Sequence, residues 1–569
     1  MMAKLKVGIY LVFVVMAVGF GTGSGVSAYT IEQWDLAVGS GEREVLPVKQ
    51  IENAATLAVE IIDGGTNEPT AAMVRLLDET GRLWIPEQAV AITQGGRKYD
   101  VEQGQKWGYQ YRVGYTSWGK FAVKGRFKIK LPAGVYSLLV RKGREYRGYA
   151  EEITLKENQA ESRRVVLDRW LNMPKLGWYS GDDHLHYRRS SPAVNDQLMT
   201  WVQAEDIHVA NILQMDNAKR TYFPQYAFGK AGRYQRGNFI LVPGEEGSRS
   251  KFLGHMSLLN IQSSIWDPQK NYYLYDDIIN ETERQGGLPE FDHVNTPEWF
   301  KNIMITLSAY RGKVTTSQVT HKLVYGKKSG WKPRNEGWKN YYKWLDLGYR
   351  LNLSSGSDSP WATLGMGYTR VYVYTGGPFD VDKWFKNLQR GRSFISQGDF
   401  PLFTVNGQLP GSEISVKPGE KIHIEADVYV SPDNRQLTTV ELLVEGKVIK
   451  QIKQADKDVT KIHISDDLTV KRSIWIVCRS TYSHTSPVYI RVGDEPWWNV
   501  ETFSRLLADE YKRLDELDNR KRIGGNKNLK FEDESIYKKQ RPELLRRAKR
   551  ARKFYNELEA KFKAARGRD

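Results

Sequence analysis

The sequence predicts a multidomain α/β plus β protein: a distorted β/α barrel flanked by two β-sandwich domains, with a helical C-terminal tail. Three observations carry this reading. Residues 29–172 and 399–495 place apolar side chains at every second position between turn residues, which is the strand period. Residues 173–398 alternate strand-like runs with helical ones, the texture of parallel β/α units. From residue 496 onward the apolar spacing becomes helical.

Taken in order, the chain opens with Lys4 and Lys6, followed by the apolar run VGIYLVFVVMAVGF at 7–20. That run has the length of a signal peptide and is short for a membrane span. Val26, Ser27 and Ala28 put small residues at a cleavage position, so residues 1–28 read as a signal peptide and the chain is expected to be secreted or periplasmic. The single cysteine, Cys478, rules out a disulfide framework within the chain and reads, inside SIWIVCRS, as a small buried residue. The formal net charge is +17, and residues 501–569 alone hold 21 Lys+Arg against 13 Asp+Glu. Nucleic acid is not expected as a partner of an exported chain. Contact of the basic tail with an anionic cell surface is the more natural expectation.

Residues 29–172 carry the strand patterns ATLAVEIID, AAMVRLLD, FKIKLP and VYSLLVRK, with a Pro-Ala-Gly turn at 132–134. This segment resembles the small β-sandwich modules of the carboxypeptidase regulatory type and reads as a structural or docking domain. Trp107, Tyr109, Tyr111 and Trp118 could line a carbohydrate platform, but such residues are more often core or loop anchors.

In 173–398, strands are expected near 178–186, 207–213, 239–245, 255–261, 288–293, 314–320, 350–356 and 370–374, with helices over 194–205, 272–285, 297–309, 336–347 and 380–390. Seven or eight such units suggest a closed or distorted barrel with its chemistry at the strand C-termini. The first strand ends in His184 and His186 within WYSGDDHLHY, and residues at i and i+2 of a strand face the same way. The following strand ends bear Asn211 and Asp216, Glu245 and Glu246, His255, Asp292 and His293, and Asp358. Imidazole with carboxylate suits Zn, Mn or Fe better than Ca or Mg. Six ligands exceed one open catalytic site and fit two ions that share bridges.

Several readings stay open on the residues alone. Strand phase allows either Glu245 or Glu246. Asp182 is either a base that assists catalysis or a brace for the strand-end turn. His208, in mid-strand, reads as a packed core histidine, and His321 as a reserve ligand. Arg188, Arg189, Arg249 and Lys251 flank the ligand segments, either as clamps for an anionic substrate or as ordinary surface charge.

The order GDxHxH, PGxE, GHxxLL, a strand-end His and GSD resembles the polymerase-and-histidinol-phosphatase (PHP) metallohydrolase superfamily, and within it the CehA/McbA-like group. The likeness covers about residues 175–410, including TRVYVYTGGPFDVDKWFKNLQRGRSFIS. It implies a distorted seven-stranded β/α barrel that hydrolyses phosphoesters or carbamate- and ester-like bonds. It also implies that His184, His186, Glu246, His255, His293 and Asp358 ligate metal. Two departures matter: YRRSSPAVND lacks the early Asp of many members, and Pro360 stands where many have a histidine. Both remove ligands of a third metal site, so one or two ions of Zn, Mn or Fe are expected rather than three. The expected function is an exported metal-dependent hydrolase acting on a small-molecule or polymer-derived substrate, with Asp182 or Asp358 handling the proton. The alternative is a catalytically degenerate exported metal-binding protein that holds a polysaccharide or protein partner.

Residues 399–495 return to the strand period, where His423 and His463 read as ordinary surface or half-buried positions; the resemblance implies only that the turn bearing His484 could lie near the barrel mouth. In the tail, 496–569, Leu506, Leu507, Tyr511, Leu514 and Leu517 form a helical stripe. After IGGNKN, Pro542 is expected to start a second helix. The tail reads as helices packed on the rest of the chain with a solvated basic face.

Overall fold

The computed structural model describes residues 44–45, 51–96, 110–114, 119–294, 302–308, 316–319, 335–360, 365–433, 438–454, 458–523 and 532–566, with the single residues 312, 314 and 456. Residues 1–28, Trp107, Tyr109, Trp118 and His321 lie outside them, and Tyr111 is placed only as part of the Gln110–Gly114 strand. No described helix is long and apolar enough to cross a membrane.

Two sheets share one apolar core in the N-terminal part. In Arg126–Leu131, Phe127, Ile129 and Leu131 are buried while Arg126, Lys128 and Lys130 are exposed, so the strand has one face that must be covered. It pairs antiparallel with Ala55–Asp63, which pairs parallel with Ala160–Leu167. The opposing sheet is built on the antiparallel pair Ala72–Asp78 and Gly134–Arg141. Leu57, Ile61, Leu76, Leu138 and Val140 meet in the core.

The β/α barrel expected for 173–398 is not what forms. The strands from Trp178–Leu185 onward belong to one large, curled, mixed sheet of 17 strands that runs on into the C-terminal region. Parallel pairing links Trp178–Leu185 to Val209–Asp216, and Val209–Asp216 to Phe239–Ser250. Phe239–Ser250 then pairs antiparallel with Gly254–Leu259, and that strand antiparallel with Leu288–Phe291. Trp178–Leu185 is flanked on its other side by the antiparallel strand Arg370–Tyr374. The physical reason lies in the connections. Parallel neighbours need a crossover of a dozen or so residues, and only Lys251, Phe252 and Leu253 separate two of these strands. Helices do form at Asn195–Ala204, Tyr275–Arg284, Asn335–Asp346 and Val381–Gln389, with Ile303–Ser308 as the described part of a further one. They do not alternate with every strand.

The C-terminal β region packs Asp399–Val405, Glu420–Val430 and Lys461–Val470 against Thr438–Val444, Ile474–Ser480 and Val488–Val492, around a core that contains buried Cys478. The tail helices Phe503–Asn519 and Glu534–Arg566 join the core of the central unit. Leu506, Leu514, Leu517, Tyr555 and Phe562 share it with Ile303, Met304 and Trp344. Pro542 lies inside the second helix rather than at its start. The start is set by Asp533, whose carboxylate accepts from the N–H groups of Ser535 and Ile536 at 2.9 and 3.1 Å, the geometry of an N-cap.

Candidate metal centre

Trp178–Leu185 is buried along its whole length, so the histidines at its end are carried into the interior. His184 Nε2 and His186 Nε2 approach to 3.0 Å. The hairpin of Phe239–Ser250 and Gly254–Leu259 adds Glu246 and His255. Its register pairs Glu246 with Ser257, and Glu246 Oε1 meets His255 Nδ1 at 2.6 Å. His293 follows Leu288–Phe291 and Asp358 follows Asn352–Ser354. Both adopt left-handed backbone, with φ of 52° and 53°. Such conformations cost an ordinary side chain about 1–2 kcal/mol and are kept where the surroundings fix them.

These six side chains are all buried and converge. His184, His186 and Asp358 form one group that could hold a metal ion, and His184, Glu246 and His293 form another. Asp358 Oδ1 stands 3.6 Å from His184 Nε2 and 3.3 Å from His186 Nε2, and Asp358 Oδ2 is 3.8 Å from His293 Nε2. Glu246 Oε2 is 3.9 and 3.4 Å from the same nitrogens of His184 and His186. His255 stands outside both groups and serves as the partner of Glu246.

The donor set fits a divalent transition metal. His186 Nδ1 lies 3.1 Å from the carbonyl of Leu213. Donation from Nδ1 fixes the tautomer and leaves the Nε2 lone pair facing the cluster. Gln318 Nε2 meets His184 Nδ1 at 2.9 Å, so the orientation of that amide decides which nitrogen of His184 carries the proton. Glu246 Oε2 has the Arg249 guanidinium beside it, whereas Asp358 Oδ1 is buried without a well-formed hydrogen bond. A buried carboxylate oxygen in that state is costly unless a cation is near it.

The electrostatics agree. Burial lowers His184 to about 4, against the pull of Asp358 and Glu246, and lowers His293 well below the usual imidazole value. For Glu246, burial acts upward, but Arg249, His255 and His184 hold the carboxyl well below its ordinary range. Asp358 is likewise held low by His186, His184 and His293 against burial. His184 and His293 therefore offer neutral nitrogens, and Glu246 and Asp358 ionised oxygens.

Asp182 is not brought into the cluster's ligand groups. Its carboxylate accepts from Ser357 N, Ser357 Oγ and Gly367 N at 2.9, 2.6 and 2.8 Å, and so ties the first ligand strand to the turn that presents Asp358. Burial raises it to about 6 despite those donors. Glu245 turns the other way, to Ser264 Oγ and Ile265 N at 2.7 and 3.0 Å, which leaves Glu246 as the carboxylate of the cluster.

Of the flanking cations, Arg249 reaches a ligand, with Nε 2.7 Å from Glu246 Oε2. Arg189 is spent on Asn195 and the carbonyl of Gly232, and Lys251 is exposed. His208 bonds Ser180 Oγ at 2.8 Å and stacks on Phe239, and His484 is buried against Trp338. Leu213 and Gln318 bear on the ligands through contacts that no local motif announces.

No family model matches the chain, and no curated protein matches it. Among solved structures it is similar to a streptococcal ancillary pilin at 14% identity and TM-score 0.13, covering 25% of this chain and 38% of that one. A glycosyl hydrolase family 2 member from Bacteroides cellulosilyticus shows 9% identity and TM-score 0.14, covering 75% of this chain and 59% of that one. The chain thus spans less than two thirds of either structure, and likenesses this weak bear on neither fold nor function.

Proposed function

We propose that this protein is an exported metal-dependent hydrolase acting on a phosphoester or an ester- or carbamate-type bond. The observation that carries the reading is the convergence of four imidazoles and two carboxylates in one buried cluster. His184, His186, Glu246, His293 and Asp358 would hold one or two ions of Zn, Mn or Fe, chosen by the mixture of imidazole and carboxylate. When bound, such an ion supplies Lewis-acid polarisation and a water that reacts near neutral pH. The chain's own part is to orient and to move a proton. His255 and Arg249 fix Glu246, Leu213 fixes the His186 ring, and Asp182 or Asp358 would handle the proton. The motif order shared with the CehA/McbA-like group supports this reaction class, without the barrel that the likeness implied.

The test is elemental analysis of the purified full chain beside a His184→Ala/His186→Ala variant. About one to two equivalents of Zn, Mn or Fe are expected, lost in the variant, together with chelator-sensitive turnover on a panel of phosphoesters and esters. Absence of metal after reconstitution overturns the metal-centre reading. Stoichiometric metal with no turnover supports a metal-binding protein that holds a partner.

A further inference from the structure

The C-terminal segment reaches the hairpin that carries two of the cluster residues. Glu532 is 5% exposed. Its carboxylate accepts from Ser250 Oγ at 3.0 Å, from the Lys251 N–H at 2.8 Å and from the Tyr273 hydroxyl at 2.9 Å. Ser250 Oγ in turn accepts from the N–H groups of Phe252 and Leu253 at 3.2 and 3.1 Å. These residues make the turn between Glu246 on one strand and His255 on the next. One carboxylate, 282 residues away along the chain from Ser250, therefore holds Ser250 and Lys251 directly and, through the Ser250 hydroxyl, the N–H groups of Phe252 and Leu253.

The rest of the turn is held from other sides. The Tyr275 hydroxyl donates to the carbonyls of Ser248 and Gly254, and the Leu253 carbonyl accepts from Met304 N at 2.9 Å. Gly254 has φ +116°, and a Cβ there would sit 2.8 Å from Met304 Cε. The turn is thus a tight, left-handed device with little freedom of its own once clamped. These three donors to Glu532 are neutral, two hydroxyls and a backbone N–H, and they offset the cost of burying its carboxylate. Ligand geometry depends on groups that orient the ligands from behind.

We propose that Glu532 is a positioning residue for the metal centre. The C-terminal segment clamps the Ser250–Leu253 turn, and that clamp sets the separation and aim of Glu246 and His255. The basic tail is then a working part of the site. This inference rests on the metal-centre reading of the cluster.

The test uses the full chain as wild type, Glu532→Ala and Glu532→Gln. Amide hydrogen exchange of the metal-free protein reads the clamp directly. Exchange over residues 248–255 is expected to quicken about tenfold or more in Glu532→Ala and less in Glu532→Gln, with Ala55–Asp63 unchanged. Titration with Co²⁺, followed by its visible absorption band, reads the consequence. Affinity is expected to fall about tenfold or more in Glu532→Ala with an altered band, and to recover in part in Glu532→Gln, which keeps one acceptor oxygen. Wild-type exchange in the turn, or wild-type Co²⁺ affinity and band in Glu532→Ala, overturns the clamp while leaving the metal centre standing. Failure of the wild type to take up Co²⁺ overturns the metal centre and the clamp's role in it together. If Glu532→Ala does not fold, Glu532→Gln carries both comparisons.

Discussion

Burial holds the His184 imidazole at about 4 and the His293 imidazole well below its usual value, while Glu246 and Asp358 are held low by the cations and imidazoles around them. At neutral pH each group is already in the form that binds a metal, and no proton has to leave first. The sign of the pH dependence follows. Between the ordinary imidazole value of 6.5 and about 4, the unfolded chain takes up a proton on His184 that the folded chain refuses. The metal-free protein therefore loses stability as pH falls through that window. Metal should likewise survive stepped dialysis at about pH 5.5 and leave between about pH 5 and 4, as read by elemental analysis. Release centred near 6.5 would mean that the imidazoles are solvated. Much at this scale was legible in the sequence. The spacing of His184 and His186, and the recurrence of His, Glu and Asp at strand ends, named the side chains that meet. What it could not supply were the contacts of Leu213, Gln318 and Glu532, because those arise from segments far apart in the chain.

At the scale of elements, periodicity located the helices within a few residues but misjudged how strands connect. The sequence places strands at 239–245 and 255–261, but they form as Phe239–Ser250 and Gly254–Leu259, and the decisive fact is the three-residue link left between them, which permits a hairpin and forbids a crossover. The second tail helix shows the same kind of competition. Pro542 is a strong start signal, yet Asp533 supplies a better one, because its carboxylate satisfies the N–H groups of Ser535 and Ile536 that a helix start leaves unpaired. The helix then runs through an exposed Pro542, which can offer no N–H to the preceding turn. Pro542→Ala should restore that bond and stabilise the protein by about 1–3 kcal/mol, seen as a higher denaturant midpoint with an unchanged slope. A variant no more stable than the wild type would show that the helix has already adapted around the proline.

At the scale of the molecule, the N-terminal β unit is bound to the central unit by buried charge. Arg169 Nη1 lies 2.6 Å from Glu145 Oε2, and Arg169 Nη2 lies 3.0 Å from Asp206 Oδ1. The guanidinium also stacks 4.2 Å over the Tyr146 ring. Lys142 Nζ donates to the Ala71 carbonyl of its own unit at 3.1 Å and, across the same boundary, to the Gln203 carbonyl at 2.8 Å. Burial pushes Glu145 up to about 7 even with Arg169 beside it, while Asp206 is held at about 2 by Arg169, His208 and Lys142 against burial. Arg169→Met would keep the bulk and leave two buried carboxylates without their shared cation. Breaking a buried pair in this way typically costs about 3–5 kcal/mol. The sign with pH is also determined. Without the guanidinium, Glu145 should stay protonated to higher pH in the folded state than in the unfolded one, so stability is lost as pH rises. Chemical denaturation should therefore find the variant weakened more at about pH 8 than at about pH 5, with the single transition splitting as the N-terminal unit uncouples from the sheet that holds the cluster. Equal losses at both pH values with one cooperative transition would place the coupling in the apolar contacts between the two units, not in this charge network.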